Sequence, residues 1–163
     1  VPTWYYAIAA PGFMSTLPDI AAALGLQQLK KAQAFQQARQ RIAEAYDAAF
    51  AGLPVITPPV APAGEMHAWH LYALRLADDA PIDRDTLIEE LFARGIGCSV
   101  HYIPLHRHPY WRERYALRPE DFPHSDAAYR RMLSLPIYTR MQPADVQRVI
   151  DAVRAELGAP GAA

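Results

Sequence analysis

The chain has 163 residues, about half of them hydrophobic and a fifth charged, with a net charge of −1. That balance fits a soluble globular domain and excludes the basic footprint that nucleic acid or an anionic membrane surface requires. The single cysteine, Cys98, excludes an internal disulfide, and every apolar run breaks well before the roughly 20 residues of a membrane helix. The near-neutral charge and the single cysteine fit a cytoplasmic protein with no nucleic-acid or membrane partner.

In chain order, residues 1–15 are aromatic-rich, carry no capping signal, and read as the tail of something upstream. Thr16-Leu17-Pro18-Asp19 then resembles a capping box, with Thr16 capping, Pro18 in the first turn and Asp19 reaching back. Leu17, Ile20, Ala21, Leu24 and Leu29 follow at near-helical spacing, and the pattern runs on through Phe35, Ile42, Tyr46 and Phe50 to Gly52. Residues 16–52 exceed the usual globular helix, so the spacing predicts one bent helix or two, breaking near residues 31–36.

Residues 53–158 read as a small α+β domain, a short sheet backed by helices, with the long interface helix leading in. The proline-rich stretch 53–64 is an extended connection with strand character at Val55-Ile56. Residues 68–76 alternate as a strand, with Trp69, Leu71 and Ala73 on one face and His70, Tyr72 and Leu74 on the other. Asp83 caps a helix with Ile82 and Leu87 as a hydrophobic staple; Leu87, Ile88, Leu91 and Phe92 form its stripe and Gly95 ends it. Residues 96–103 form a second strand, giving a compact α+β or split βαβ unit. Residues 105–122 are irregular, residues 125–133 a short helix and residues 134–138 a strand. The last helix has Gln142 at its cap, Pro143 at its first position, and a stripe of Val146, Val149, Ile150, Val153 and Leu157. Residues 159–163 read as a disordered tail.

Phosphate-loop, Walker, zinc-cysteine and nucleophile-elbow patterns are all missing from the sequence. The two lysines, Lys30 and Lys31, stand side by side in a helical context, where solvated charge is the rule. A lysine that forms a Schiff base needs instead a desolvated pocket that lowers its pKa. Histidine is the conspicuous polar resource. His101, His106 and His108 fall in HYIPLHRH, with His67 and His70 near the first strand. Imidazoles at such spacing suit zinc, but no carboxylate stands among them and Pro104 fixes an extended backbone, so no metal site is expected. An aromatic-flanked histidine on a loop after a strand is better suited to binding a hydroxyl-rich or anionic ligand. A surface or capping role is the plain alternative for each.

PGF, LPDIAAALGLQQLKK, ARQRIAEAY, AWHLYALRL, RGIGCSVHYIPLH, FPHSDAAYRRMLSLPIY and PADVQRVIDAV together resemble, in order and spacing, the DegT/DnrJ/StrS family of sugar aminotransferases that depend on pyridoxal 5'-phosphate (PLP). The resemblance runs from about Pro11 to Leu157. It implies the C-terminal small domain of an aspartate-aminotransferase-like (fold-type I) enzyme, following a large domain that holds PLP and its lysine. It further implies a homodimer that moves an amino group, commonly from glutamate, to a keto sugar carried on a nucleotide, in polysaccharide or aminosugar biosynthesis. A chain that begins after the lysine segment is expected to be inactive alone. By the same resemblance His101, Tyr102 and His106 bind the nucleotide sugar. Thr16 takes the place of an asparagine that reaches the PLP phosphate of the neighbouring subunit. Two alternatives stay open: a sugar dehydratase of the same family, or a non-catalytic regulatory or interaction module.

Overall fold

The computed structural model describes residues 17–158. The chain divides into two compact units, one ending at Gln33 and the other starting at Ala34. In the first, helix α1 spans Asp19–Leu29 and begins at Pro18 with no side-chain cap. The capping threonine expected at this point, Thr16, lies outside the described residues, as do residues 1–15 and 159–163. The predicted break falls at Lys30 and Lys31, at the start of the expected stretch, and α2 follows over Ala32–Phe50.

The second unit is built on a small antiparallel sheet. Its strands β1 (Val55–Ile56), β2 (Tyr72–Leu76) and β3 (Met132–Leu135) lie in the order β1-β2-β3. Tyr72 faces Leu135 and Leu74 faces Leu133 across the β2–β3 pair, and all four are buried. Ala73 and Ser134 pair on the opposite face, as the period of two requires. Helix α2 packs on the Tyr72 side, with Tyr46 edge-on to the Tyr72 ring at 5.0 Å and Phe50 at 6.4 Å. The Tyr72 hydroxyl donates to Asp47 at 2.6 Å and the Tyr46 hydroxyl to the Pro136 carbonyl at 2.9 Å. Each phenol thus keeps a partner while its ring is buried.

Helix α3 (Arg84–Ala93) starts as expected, with the Asp83 carboxylate accepting from Thr86 N–H at 2.8 Å. It stops at Gly95, whose φ of +72° favours glycine. Leu87 and Leu91 are buried, whereas Phe92, expected in the same stripe, is exposed. Helices α4 (Pro109–Tyr115) and α5 (Pro123–Arg131) lead to β3, and α6 (Pro143–Leu157) closes the chain. Gln142 stands at the cap of α6 and Pro143 at its first position, as expected; Asp145 accepts from Gln142 N–H at 2.8 Å, and the Gln142 side chain donates to the Arg140 carbonyl.

Four further corrections follow from backbone geometry. Trp69 has a φ of +48°, so alternation begins only at Tyr72, and the buried Trp69 joins the Tyr72 face with its ring 6.0 Å away. Residues 96–103 are not a regular strand. They touch the sheet at one bridge, Ser99 to Ser134, beside β3 and not β2. The stretch 105–122, read as irregular, contains α4 and two 3-10 turns, at Leu105–Arg107 and Pro119–Asp121. The helix and strand expected over 125–138 each begin two residues early.

Candidate functional site

The bridge at Ser99 sets the chain leaving the sheet on the face opposite the Tyr72 core. From there residues 101–105 form one wall of a groove of about 410 Å³. Ser125, Ala128 and Tyr129 of α5, with Met132, form the other wall. Ala128 and Tyr129 lie three and four residues after Ser125, the spacing of one helix face, and Met132 is the first residue of β3.

His101 is half-buried, and its Nδ1 lies 3.1 Å from the Ser134 hydroxyl. Its ring meets the Tyr102 ring edge-on at 4.8 Å, and Tyr102 is 77% exposed. The structure therefore brings two of the three expected binding residues to one groove, one of them anchored from behind and the other open.

The third expected residue, His106, is in a different place. It is 4% exposed, stacked on Phe122 at 4.8 Å, with Nε2 3.5 Å from Asp126 Oδ1. Asp126 itself is buried, and it accepts from Arg107 Nε at 2.5 Å and from Arg130 Nε at 2.7 Å. The Arg107 hydrogen bond, helped by those from His106 and by the charge of Arg130, holds the Asp126 carboxyl down to about 2. His106 is thus part of a clamp that ties the turn after Pro104 to α5. His108 closes the same turn locally, its Nε2 donating to the Ile103 carbonyl at 3.1 Å.

Tyr129, to which the sequence reading gave no role, carries two guanidinium groups against its ring, Arg84 at 5.1 Å and Arg107 at 5.2 Å. Arg84 is buried and donates to the carbonyls of Tyr129 and Met132 at 3.0 and 3.1 Å. Cations at the C-terminal turn of α5 offset its exposed carbonyls and fix where Tyr129 enters the groove. The signal for Tyr129, Ser125 and Ser134 was present in the helix-face spacing and in the strand period, but it needed the groove to give it meaning.

Other places offer less chemistry. A larger hollow of about 470 Å³ between α2 and α6 is lined mainly by Ala38, Ile42, Ala45, Val146 and Ile150, with Arg41 its one charged lining residue. It lacks any acid–base pair. Lys30 and Lys31 are exposed at the turn between α1 and α2, and Lys30 donates to Gln27 at 3.2 Å. Neither lines the groove. Cys98 is a free thiol pushed up to about 11 by burial, which makes it a poor nucleophile.

Comparison with known proteins matches residues 3–154 to the model of the DegT/DnrJ/EryC1/StrS aminotransferase family. The chain is 41% identical over 154 residues to the spore coat polysaccharide biosynthesis protein SpsC of Bacillus subtilis, covering 93% of this chain and 40% of that one. Among solved structures, the PLP form of Spr1654 from Streptococcus pneumoniae is 27% identical with a TM-score of 0.80, over 94% of this chain and 39% of that one. Helicobacter pylori PseC, an aminotransferase involved in the biosynthesis of pseudoaminic acid, is 26% identical with a TM-score of 0.75, over 96% of this chain and 42% of that one. The chain thus spans about 40% of the length of the curated relatives it matches. With the family model matched along nearly its whole length, the chain belongs to the DegT/DnrJ/EryC1/StrS aminotransferase family, whose members depend on pyridoxal phosphate.

Proposed function

We propose that this chain is the C-terminal, substrate-facing part of a longer PLP-dependent sugar aminotransferase. The proposed enzyme moves an amino group, with glutamate as donor, to a keto sugar on a nucleotide, in the making of polysaccharide or aminosugars. SpsC, a spore coat polysaccharide biosynthesis protein, and PseC, an aminotransferase in pseudoaminic acid biosynthesis, support the polysaccharide or aminosugar setting. The observation that carries the reading is the groove that presents His101 and the exposed Tyr102 opposite Tyr129. Hydroxyl and imidazole groups supply directed hydrogen bonds to a sugar, and flat rings suit its apolar faces.

The exposed setting of both lysines supports placing the cofactor-holding lysine elsewhere in the longer protein, which leaves the chain alone inactive. Thr16, at the head of the helical segment, is proposed to reach a cofactor phosphate in the partner subunit of a homodimer. Exposed aliphatic residues along α1 support a contact of that kind. His106 keeps a part in the proposal as the buried residue that seats the substrate loop.

Half-reaction kinetics of the full-length enzyme test this. Tyr102→Phe and His101→Ala are expected to lower kcat/KM for the nucleotide sugar by about ten- to a hundredfold, the worth of one lost hydrogen bond to a charged group. The half-reaction with the amino donor should stay near its original rate, because the small amino acid does not need this wall. Equal losses in both half-reactions would reject the groove as the sugar site.

A further inference from the structure

Ser134 occupies the position in β3 where the chain is held from both sides. It pairs with Ala73 of β2 on one side and with Ser99 on the other, donating its N–H to the Ser99 carbonyl at 2.7 Å and accepting from Ser99 N–H at 3.3 Å. These bonds fix the direction of its Cα–Cβ bond. The register turns its side chain away from the Tyr72 core, to the side of Ser99 and, two residues on, His101. Ser134 is only 5% exposed, and among the described residues its hydroxyl has one hydrogen-bond partner, His101 Nδ1 at 3.1 Å.

Two arrangements of protons fit that contact. In one, His101 carries its proton on Nδ1 and donates it to the serine oxygen. The buried hydroxyl hydrogen is then left without an acceptor, and an unmet buried donor costs the full loss of its hydration. In the other, the hydroxyl donates to a bare Nδ1, and the imidazole proton sits on Nε2. The second arrangement satisfies the donor that the first strands. Rotation of the ring to exchange its edges is opposed by Tyr102, whose ring lies edge-on at 4.8 Å.

We infer that Ser134 is a positioning residue that holds neutral His101 as its Nε2–H tautomer, so that the groove meets a hydrogen-bond donor and not a base. Such a group recognises an oxygen acceptor, a sugar hydroxyl or a phosphate oxygen, and does not take up a proton from the ligand. The choice of ligand rests on the functional reading above; the tautomer does not.

Long-range proton–nitrogen NMR of the 163-residue chain with labelled histidine reads the tautomer directly. The spectrum is taken at about pH 8.5, where an ordinary imidazole is neutral. The His101 signal is identified by its loss in His101→Gln. His67 serves as an internal control, because its Nδ1 accepts from Trp69 N–H at 2.9 Å and should keep one tautomer throughout. In the unmodified chain and in Ser134→Thr, His101 should show a bare Nδ1 and a protonated Nε2. Ser134→Ala should turn the His101 signal into a tautomer mixture while His67 stays unchanged. A proton on Nδ1 in the unmodified chain would overturn the inference, as would an unaltered His101 signal in a folded Ser134→Ala. Should the alanine variant not fold, Ser134→Val, which keeps the shape of the threonine variant without its hydroxyl, takes its place with the same two outcomes. Adding UDP-N-acetylglucosamine separates the two claims: a held tautomer with no response of His101 to this probe counts against the functional reading alone.

Discussion

In α6 the large side chains Val149, Ile150, Val153 and Leu157 are all buried, whereas in α1 Ile20, Leu24, Leu26 and Leu29 are all exposed. The two helices are similarly rich in aliphatic residues, so richness does not separate them. Placement does. The four α6 residues follow one another by one, three and four positions and fall in a single stripe, with Arg148, Asp151 and Arg154 around the rest of the helix. In α1, Leu24 and Leu26 are two positions apart and point to different sides, with Asp19 the only charge in the helix. A helix that is apolar all round suits an interior with neighbours on several sides. The comparison teaches that α6 buries its stripe within its own unit, whereas the described residues leave the large side chains of α1 uncovered.

The sharpest way to break this comparison is to cut into α6. Leu157→Ala, at a side chain 1% exposed, should cost about 2–5 kcal/mol by losing buried methyl groups and leaving a cavity. Urea unfolding of the chain reads the loss, and a change too small to detect would mean that α6 is not seated in the core. A smaller effect, confined to acid, belongs to Asp126. Its carboxyl is held down to about 2, so it contributes stability that is fully present above the ordinary carboxylate range near 4 and is lost as the pH falls toward 2. Asp126→Asn should therefore flatten the dependence of the melting temperature on pH between about 4 and 2. A slope equal to that of the unmodified chain would remove the clamp from the account. The smallest effect on stability is expected in α1, where Leu24→Gln should change the unfolding free energy by less than about 0.5 kcal/mol. The same variant should weaken self-association of the chain in sedimentation, and unaltered association would count against α1 as the contact surface.

Local chemistry was legible in the sequence where one residue type enforces one geometry. Asp83 at the α3 cap, Gly52 and Gly95 after helices, and Pro143 at the start of α6 each stand where their side chains or φ preferences require. The stretch 96–103 was misread because its alternation matches a strand while only Ser99 finds a pairing partner. Helix α4 was hidden by its arginines and aromatic residues, although Pro109 at its first position was a usable signal. The burial of His106 was not legible at all. It depends on Phe122 and Asp126, sixteen and twenty residues away, and no local pattern encodes a partner at that separation. The site divided along the same line: Tyr102 and His101 stand at the groove, while the residues that orient them come from β3 and α5.

The sheet also has margins, and both are short. At one side β1 is two residues long, with Pro54 before it and Pro58-Pro59 soon after, and a proline has no N–H to offer a passing strand. At the other side β3 is four residues long and meets Ser99 at one bridge, after which the chain turns off toward Pro104. An exposed row of unpaired amides is a template on which other chains can add. By leaving so little of one at either margin, this sheet resists edge-to-edge growth into aggregates, whatever contacts its helices make.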